Sequence, residues 1–386
     1  MGRRFNPDSR LQFCQAHAPV YPKMRLLPLA LALGVVTNLP LKAVDSGALG
    51  PVTVRADAAE VVYEGRTLAT ADGTVRMGFP GIVIHLRFKG ELLGIRLKAA
   101  KPEEYIDVSV DQSEPHWVEL AEGVADYPLV AAGGGAEHTV EIMRRTESWQ
   151  GECDVLGVTL GPGDTLLAPA LLPARKMMFI GDSITCGECA AAQEGDPPKG
   201  NRLSSPRQSY GRILARRFGA QCDQVSYGGR GLIRDWQGIT ATTNAPQFYG
   251  LALPDDPNAA WDPRRYVPDA IGICIGQNDF SQGIPDQVQF VSAYVQFVRR
   301  ILGDYPAAHI VLISSPILND WPDQVPARTV QYRYLQQVVS EVGSPRVTAF
   351  EASHQPGRPG NGHPTGPQHL AMANELEPVF RQALGW

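Results

Sequence analysis

The first half of the chain alternates apolar and polar residues with a period of two. Isoleucine, leucine and phenylalanine alternate with His85, Arg87 and Lys89 over residues 82–89, and residues 93–97 repeat the pattern. Such alternation predicts half-buried strands. Many short strands separated by turn residues are typical of an antiparallel sandwich. We therefore expect a β-sandwich over residues 50–165.

The second half follows a different pattern, in which short apolar runs alternate with amphipathic stretches. The predicted strands lie at 177–180, 224–227, 270–275, 310–314 and 347–350, and the predicted helices at 209–218, 288–302, 330–342 and 367–384. This alternation predicts an α/β domain over residues 175–386, with a parallel sheet covered by helices on both faces. Ligands bind at the carboxyl ends of the strands in such folds.

Residues 1–43 are typical of a signal peptide region. Lys23-Met24-Arg25 precedes an apolar run at 26–36, which is too short to span a bilayer. Ala43 is the expected cleavage position, and Met24 is a possible true start. We expect a secreted or periplasmic protein without stable membrane insertion. The alternative is a buried or disordered N-terminal segment.

Composition and charge narrow the class of protein. Of 386 residues, 44% are hydrophobic and 19% are charged, as in ordinary globular proteins. The first 43 residues carry six basic side chains against Asp8 alone, so without them the net charge of −5 becomes about −10. An acidic body argues against a nucleic-acid partner.

Six cysteines are present, and five remain after residue 43. An odd number implies a free thiol or an intermolecular bridge. Cys186 and Cys189 have the C-x-x-C spacing of redox and zinc sites, but no second cysteine pair or histidine cluster accompanies them. The sequence does not specify disulfide pairing.

A serine follows the first predicted strand of the second half. The strand runs into Gly181-Asp182-Ser183-Ile184-Thr185, which places Ser183 at the carboxyl edge of the sheet. The pattern differs from the G-x-S-x-G turn of α/β-hydrolases. Ser183 is therefore a candidate nucleophile, and the alternative is a serine that caps a helix.

Three more motifs follow strand ends or lie near the C-terminus. Gly228-Gly229-Arg230-Gly231 ends the second strand, and its N–H groups could face an oxyanion. Gly276-Gln277-Asn278-Asp279 ends the third strand, and the Asn278 side chain could donate to the same oxygen. His363 stands in a Gly/Pro loop near the C-terminus, where it is a candidate general base.

These four motifs in this order resemble the SGNH (GDSL) hydrolase superfamily, and within it carbohydrate esterase family 2. Segments similar to that family are 179–187, 229–232, 137–140, Arg145-Thr146-Glu147 and Trp261-Asp262. The resemblance implies an SGNH-type α/β/α domain preceded by a β-sandwich of the jelly-roll type. It also implies hydrolysis of acetyl esters on plant polysaccharides such as xylan or glucomannan, without a metal or cofactor.

The resemblance assigns roles to individual residues. Ser183 is the nucleophile and His363 is the base. The oxyanion donors are the N–H of Ser183, the N–H of Gly229 and the side chain of Asn278, and Gly228 competes with Gly229. Asp182 is expected to hold the backbone of the turn.

One position departs from the family pattern. Many relatives carry Asp two residues before the histidine, whereas this chain has Asn361. We expect a Ser–His dyad in which a backbone carbonyl holds His363 and removal of the Asn361 side chain costs little. Glu351 and Asp320 are acids near strand ends, but the sequence does not place them beside His363.

Trp321 and, after it, Trp236 are candidates for stacking on the sugar substrate. The alternative for both is packing in the core or between domains.

Two other functions share some of these features. A lipase or thioesterase would have all four motifs, but the sandwich and the lack of a long apolar lid disfavour it. A non-catalytic carbohydrate-binding protein would have the sandwich, but its intact catalytic motifs would be unexplained. The sequence specifies neither the acetylated hydroxyl nor the oligomeric state.

Overall fold

The computed structural model describes most of the chain after residue 41. The described residues are 42–45, 47, 49–131, 135–168, 171–320 and 326–386. The expected signal peptide therefore lies almost entirely outside them. From residue 40 to the C-terminus the chain is one compact unit. No helix within the described ranges has the length and apolar character needed to cross a membrane.

Two antiparallel sheets make up the N-terminal half. The first consists of β1 (Val44–Asp45), β2 (Val54–Arg55), β4 (Thr67–Ala69), β5 (Val75–Met77), β7 (Leu92–Ala99), β10 (Gly123–Ala131) and β12 (Cys153–Leu160). The second consists of β3 (Val62–Glu64), β6 (Val83–Lys89), β8 (Glu104–Val110), β9 (His116–Leu120), β11 (Glu137–Arg144) and β13 (Thr165–Leu166). In the first sheet β7 lies between β10 and β12, and in the second β11 lies between β6 and β8.

The alternating residues of these strands form the core of the sandwich. Ile95 and Leu97 of β7 and Leu86 and Phe88 of β6 are all buried and belong to one hydrophobic cluster. The polar residues between them face outward, as the period of two requires. The predicted β-sandwich is confirmed.

A third sheet forms the C-terminal half. Its strands are β14 (Lys176–Gly181), β15 (Gln221–Ser226), β16 (Ala270–Cys274), β17 (His309–Ile313) and β18 (Val347–Phe350). They lie in the order β15-β14-β16-β17-β18, and every neighbouring pair is parallel. The predicted parallel sheet is confirmed.

Helices cover both faces of this sheet. Within the described residues they are α1 (Ser183–Cys186), α2 (Tyr210–Arg217), α3 (Ala245–Phe248), α4 (Gln277–Phe280), α5 (Gln287–Asp304), α6 (Ala327–Val342) and α7 (Gly366–Leu384). Short 3-10 helices lie at Ser148–Gln150, Asn201–Leu203, Pro206–Gln208 and Pro263–Arg265. Met177 and Phe179 of β14 pack with residues of α2 and α7, whereas Met178 and Ile180 pack with residues of α5 and α6.

The strand order fixes where a site can form. From β14 the chain continues to β15 on one side and then crosses back to β16 on the other side, so the strand order reverses beside β14. Such a reversal opens a crevice at the carboxyl ends of the strands. Ser183 follows β14, Gly229 follows β15 and Asn278 follows β16. The fold therefore carries three candidate residues to one edge of the sheet.

Buried ion pairs join the sandwich to the α/β half. Arg66, between β3 and β4, donates from Nε to Oδ2 of Asp223 on β15 over 3.1 Å, and both side chains are almost fully buried. Glu64 of β3 accepts a hydrogen bond from Nη1 of Arg212 on α2 over 2.5 Å. These contacts fix the strand ends of the parallel sheet relative to the sandwich.

Candidate active site

Ser183 stands at the first position of α1, directly after β14. Asp182 caps this helix, because its Oδ1 accepts the N–H of Ile184 over 3.1 Å, as expected for a residue that holds the turn. Gly181 has no room for a side chain, since a Cβ there would lie 2.7 Å from the carbonyl oxygen of Cys274. The sheet and the capped turn thus hold the Ser183 hydroxyl in a fixed place.

His363 approaches Ser183 from the loop before α7. Its Nε2 lies 2.8 Å from Oγ of Ser183, although the two residues are 180 positions apart in the chain. The loop ends in a capping box formed by Thr365 and Gln368, and the Gln368 side chain also donates to the carbonyl of Gly357. The structure thus brings the predicted nucleophile and the predicted base together.

Asn361 contacts the other nitrogen of the imidazole. Its Oδ1 lies 2.8 Å from Nδ1 of His363 and accepts the backbone N–H of His363 over 2.9 Å. Its Nδ2 donates to the carbonyl of Pro198 over 2.9 Å. The carbonyl of Pro198 and the N–H of His363 together fix which end of the amide is the oxygen.

This orientation sets the tautomer of His363. Because the amide oxygen of Asn361 can only accept, Nδ1 carries the proton and Nε2 presents a lone pair to the Ser183 hydroxyl. The expectation that a backbone carbonyl holds His363 is wrong, since a side chain two residues away occupies that place. The two acids near strand ends have other partners. Glu351 forms an ion pair with Arg328, and Asp320 accepts a hydrogen bond from Thr329.

Burial dominates the electrostatics of His363. Burial lowers the pKa of the imidazole below its usual value, Glu188 opposes this effect and Lys199 adds to it. A lowered pKa favours the neutral ring, which is the form that can accept a proton.

Two glycines after β15 lie under the same cleft. Gly229 has a φ of 76°, and a Cβ there would lie 2.9 Å from Cδ1 of Trp236. A Cβ at Gly228 would lie 2.1 Å from Oε2 of the buried Glu147. The positive φ of Gly229 favours glycine, whereas a side chain at Gly228 would have to displace the Glu147 carboxylate. Both residues line the same cleft as Ser183.

Asn278 of α4 also lines the cleft. Its Nδ2 donates to the carbonyl of Arg230 over 2.8 Å and lies 3.4 Å from Oδ2 of Asp182. These contacts hold the amide at the carboxyl edge of the sheet, between the two loops that carry the serine and the glycines.

Asp279 ties the glycine loop to α4. Its carboxylate accepts three consecutive backbone N–H groups, those of Leu232, Ile233 and Arg234, at 2.8 to 3.1 Å. Burial raises the pKa of Asp279 to about 6, and the three N–H groups limit the rise. The fourth residue of the third motif thus fixes the loop that follows the glycines.

The cleft has a volume of about 530 Å³. Its lining includes Ser183, Gly229, Asn278 and His363 together with two exposed tryptophans, Trp236 (55% exposed) and Trp149 (48% exposed). Trp321 lies outside the described residues, so the structure does not place it.

Sequence reasoning missed several residues of this cleft, among them Trp149, Glu188 and Lys199. Trp149 comes from the 3-10 helix that follows β11, so the sandwich contributes to the wall. Glu188 and Lys199 come from the long loop between α1 and α2. Only the spacing of Glu188, five residues after the serine, could have drawn attention to it.

Of the C-x-x-C pair considered above, Cys186 ends α1 and Cys189 lies in the loop that follows. The five described cysteines are buried free thiols. Cys186 donates from Sγ to Oγ of Ser226 over 3.3 Å. Burial raises the pKa of Cys186 and of Cys189. A raised pKa disfavours the thiolate, which is the form that binds metals and attacks disulfides.

Comparisons with known proteins find family models that match both halves of the chain. Residues 63–169 match a family model described as the N-terminal domain of carbohydrate esterase 2, and residues 179–369 match the GDSL-like lipase/acylhydrolase family. A relative from Cellvibrio japonicus, named acetylxylan esterase / glucomannan deacetylase, is 37% identical over 335 residues, which span 86% of this chain and 92% of that protein.

Solved structures of family two carbohydrate esterases are also similar to this chain. A family two carbohydrate esterase from Cellvibrio japonicus has a TM-score of 0.82 at 36% identity, covering 86% of this chain and 98% of that one. A family two carbohydrate esterase from Clostridium thermocellum, in complex with cellohexaose, has a TM-score of 0.77 at 27% identity, covering 84% of this chain and 99% of that one.

Proposed function

The chain belongs to carbohydrate esterase family 2 and is a carboxylic ester hydrolase, and on that premise we propose that it removes acetyl groups from plant polysaccharide through an acyl-enzyme on Ser183. The observation that carries the proposal is the chain of contacts from Ser183 Oγ to His363 Nε2 and from His363 Nδ1 to Asn361 Oδ1, each 2.8 Å long.

The proposed chemistry has two steps, formation and hydrolysis of the acyl-enzyme. Nε2 of His363 takes the Ser183 proton while Oγ bonds to the acetyl carbon, and the imidazolium then protonates the departing sugar oxygen as the C–O bond breaks. A water molecule, activated by the same imidazole, releases acetate from Ser183. This chemistry uses no cofactor.

The oxyanion of each tetrahedral intermediate needs hydrogen-bond donors. We assign the N–H of Ser183, the N–H of Gly229 and the side chain of Asn278 to this task. The N–H of Ser183 lies in the first turn of α1, where the helix offers it no carbonyl partner. The positive φ of Gly229 supports the second assignment. For Asn278, the bond to the carbonyl of Arg230 uses one of the two N–H groups of the amide, and we assign the other to the oxyanion in place of its long 3.4 Å contact with Asp182.

Carbohydrate is the substrate class that the walls of the cleft favour. Flat, exposed indole rings such as Trp149 and Trp236 offer apolar faces to the C–H groups of a pyranose ring. The related Clostridium thermocellum esterase was solved in complex with cellohexaose, a linear glucan. A xylan or glucomannan main chain would have a similar shape.

We further propose the division of the chain into an export signal at 1–43, a jelly-roll domain at 50–165 and an SGNH hydrolase domain at 175–386. The matches of the two family models to residues 63–169 and 179–369 support the two inner boundaries. An export signal would deliver the enzyme to the periplasm or to the medium. Plant polysaccharide is found in the medium.

Acetate release from a substrate panel tests the proposal. The panel consists of acetylated xylan, acetylated glucomannan, a simple sugar acetate and two nitrophenyl esters, acetyl and octanoyl. We expect acetate from both polysaccharides and a clear preference for acetyl over octanoyl. A preference for octanoyl would indicate a lipase or thioesterase. Absence of hydrolysis with every ester would indicate a non-catalytic carbohydrate-binding protein.

A further inference from the structure

Glu188 lies on the opposite side of His363 from Asn361. Its Oε2 is 3.3 Å from Nε2 of His363, the same nitrogen that faces Ser183 Oγ over 2.8 Å. The backbone N–H of Glu188 donates to the carbonyl of Ser183 over 3.0 Å, which anchors the residue to the turn that carries the serine. Both side chains are partly shielded from solvent, with 31% of Glu188 and 23% of His363 exposed.

His363 has no carboxylate at Nδ1. A carboxylate at that nitrogen fixes the tautomer and also stabilises the imidazolium that forms when serine loses its proton. The amide of Asn361 fixes the tautomer, but it is neutral and adds little to the second task. A negative charge from another direction would supply what the amide lacks.

We propose that Glu188 is a positioning residue whose carboxylate stabilises the imidazolium of His363 from the Nε2 side. The inference rests on the proposed function, since it assigns a part in that same reaction. The proton of Ser183 Oγ moves to Nε2 as Oγ bonds to the acetyl carbon. It then moves to the sugar oxygen as the C–O bond breaks. Glu188 takes no proton and remains a carboxylate throughout.

The other charged and titratable groups around the imidazole are few. Lys199 lines the same cleft and acts on the pKa of His363 in the opposite direction to Glu188, and the neighbouring His369 is fully buried. Behind Glu188, burial raises the pKa of Glu147 and of Asp182. Glu188 is the carboxyl side chain that contacts the imidazole within the described residues.

The test compares Glu188→Gln with a matched control, Glu194→Gln. Both variants remove one carboxylate from the loop between α1 and α2, but Glu194 is exposed to solvent and does not line the cleft. The readouts are the pH profile of kcat/KM with nitrophenyl acetate and the pKa of His363 measured by NMR in the resting protein. A small substrate keeps contacts with the polysaccharide out of the comparison.

We expect the acidic limb of the Glu188→Gln profile to move to lower pH by about one unit, because removal of a nearby negative charge disfavours the protonated ring. The plateau of kcat should fall by roughly tenfold, which corresponds to the same one-unit change in imidazolium stability. Lys199→Gln should move the limb to higher pH, and Glu194→Gln should change neither quantity.

An acidic limb and a kcat for Glu188→Gln that match those of Glu194→Gln would overturn the proposal. A rise in KM alone would also overturn it, since it would assign Glu188 to substrate binding. The NMR titration needs no turnover. If the wild type hydrolysed no ester, the proposed function would fail, while the effect of Glu188 on the His363 pKa would still be measured.

Discussion

Asn361 performs one of the two tasks of the carboxylate that many relatives carry at this position, because it orients His363 but has no charge. Its amide oxygen accepts from Nδ1 of His363, and its Nδ2 is held by the carbonyl of Pro198. The amide is 8% exposed, so water does not easily replace it. The sequence revealed the missing carboxylate at this position, but the contact with Pro198 depends on the fold of a loop 163 residues away.

Replacement of Asn361 separates orientation from charge. Asn361→Ala removes the group that holds the ring, and kcat should fall by roughly 10- to 100-fold, the loss typical of groups that orient a metal-bound histidine through its second nitrogen. Asn361→Asp keeps an acceptor and adds a charge, so it should retain activity and raise the apparent pKa of His363. The measurement is the pH profile of kcat/KM. Full activity in folded Asn361→Ala would return the account to a dyad held by backbone.

Asn278 tests the oxyanion site. Loss of one such donor typically costs roughly 100- to 1,000-fold in kcat, because the donor acts on charge that develops in the transition state. Asn278→Ala should therefore lower kcat with nitrophenyl acetate while KM changes little. Circular dichroism serves as the control, since the amide also holds the carbonyl of Arg230. An effect confined to KM would point to substrate binding.

At the scale of elements, the strands were easier to predict from the sequence than the residues that form the walls of the cleft. Four of the five strands of the parallel sheet carry the short apolar runs typical of buried strands, so the motifs after them could be placed at one edge from sequence. The exception is β15, which carries Asp223 and two glutamines and begins before its predicted start. Trp149 could not be placed in this way. It belongs to a 3-10 helix of the sandwich, and its place in the cleft results from packing between two halves of the chain.

Trp149 and Trp236, which come from different elements, should affect KM for polymeric substrate more than KM for small esters. Trp149→Ala and Trp236→Ala should each raise KM for acetylated polysaccharide severalfold, since each indole ring supplies a large apolar contact surface to the sugar. KM for nitrophenyl acetate should change much less. Steady-state kinetics on both substrates make the comparison. Trp386→Ala, at the end of the chain, is a control outside the cleft. Equal losses on both substrates, with a lower Tm, would instead assign the rings to packing.

At the scale of the whole molecule, charged side chains buried between the sandwich and the parallel sheet couple the two halves. Glu64 of β3 receives hydrogen bonds from Arg212 of α2 and from the backbone of Cys222 on β15. Burial alone would raise the pKa of Glu64, but the charge of Arg212 and the hydrogen bond with His85 outweigh it and lower the pKa to about 2. No periodicity in the sequence pairs residues this far apart.

This coupling predicts a specific dependence of stability on pH. Because the folded pKa of Glu64 lies below its ordinary value of 4.5, its contribution is complete above pH 4.5 and is lost as the pH falls toward 2. The contribution is roughly 3 kcal/mol. Glu64→Gln should be less stable than the wild type at pH 7, and the two should converge at acid pH. Urea unfolding across this range measures it, with the exposed Glu137→Gln as control. A constant difference at every pH would contradict the prediction.

The most direct test of the central claim is to trap the acetyl group on the enzyme. After rapid acid quench of a reaction with acetylated xylan oligosaccharides, peptide mass spectrometry should find one added acetyl group, on the peptide containing Ser183 and at that side chain. Ser183→Ala should carry no acetyl group and should lose kcat by several orders of magnitude, and His363→Ala should be similarly inactive, because nucleophile and base act as a unit. An acetyl group on another residue, or near-normal acetate release by folded Ser183→Ala, would contradict the account.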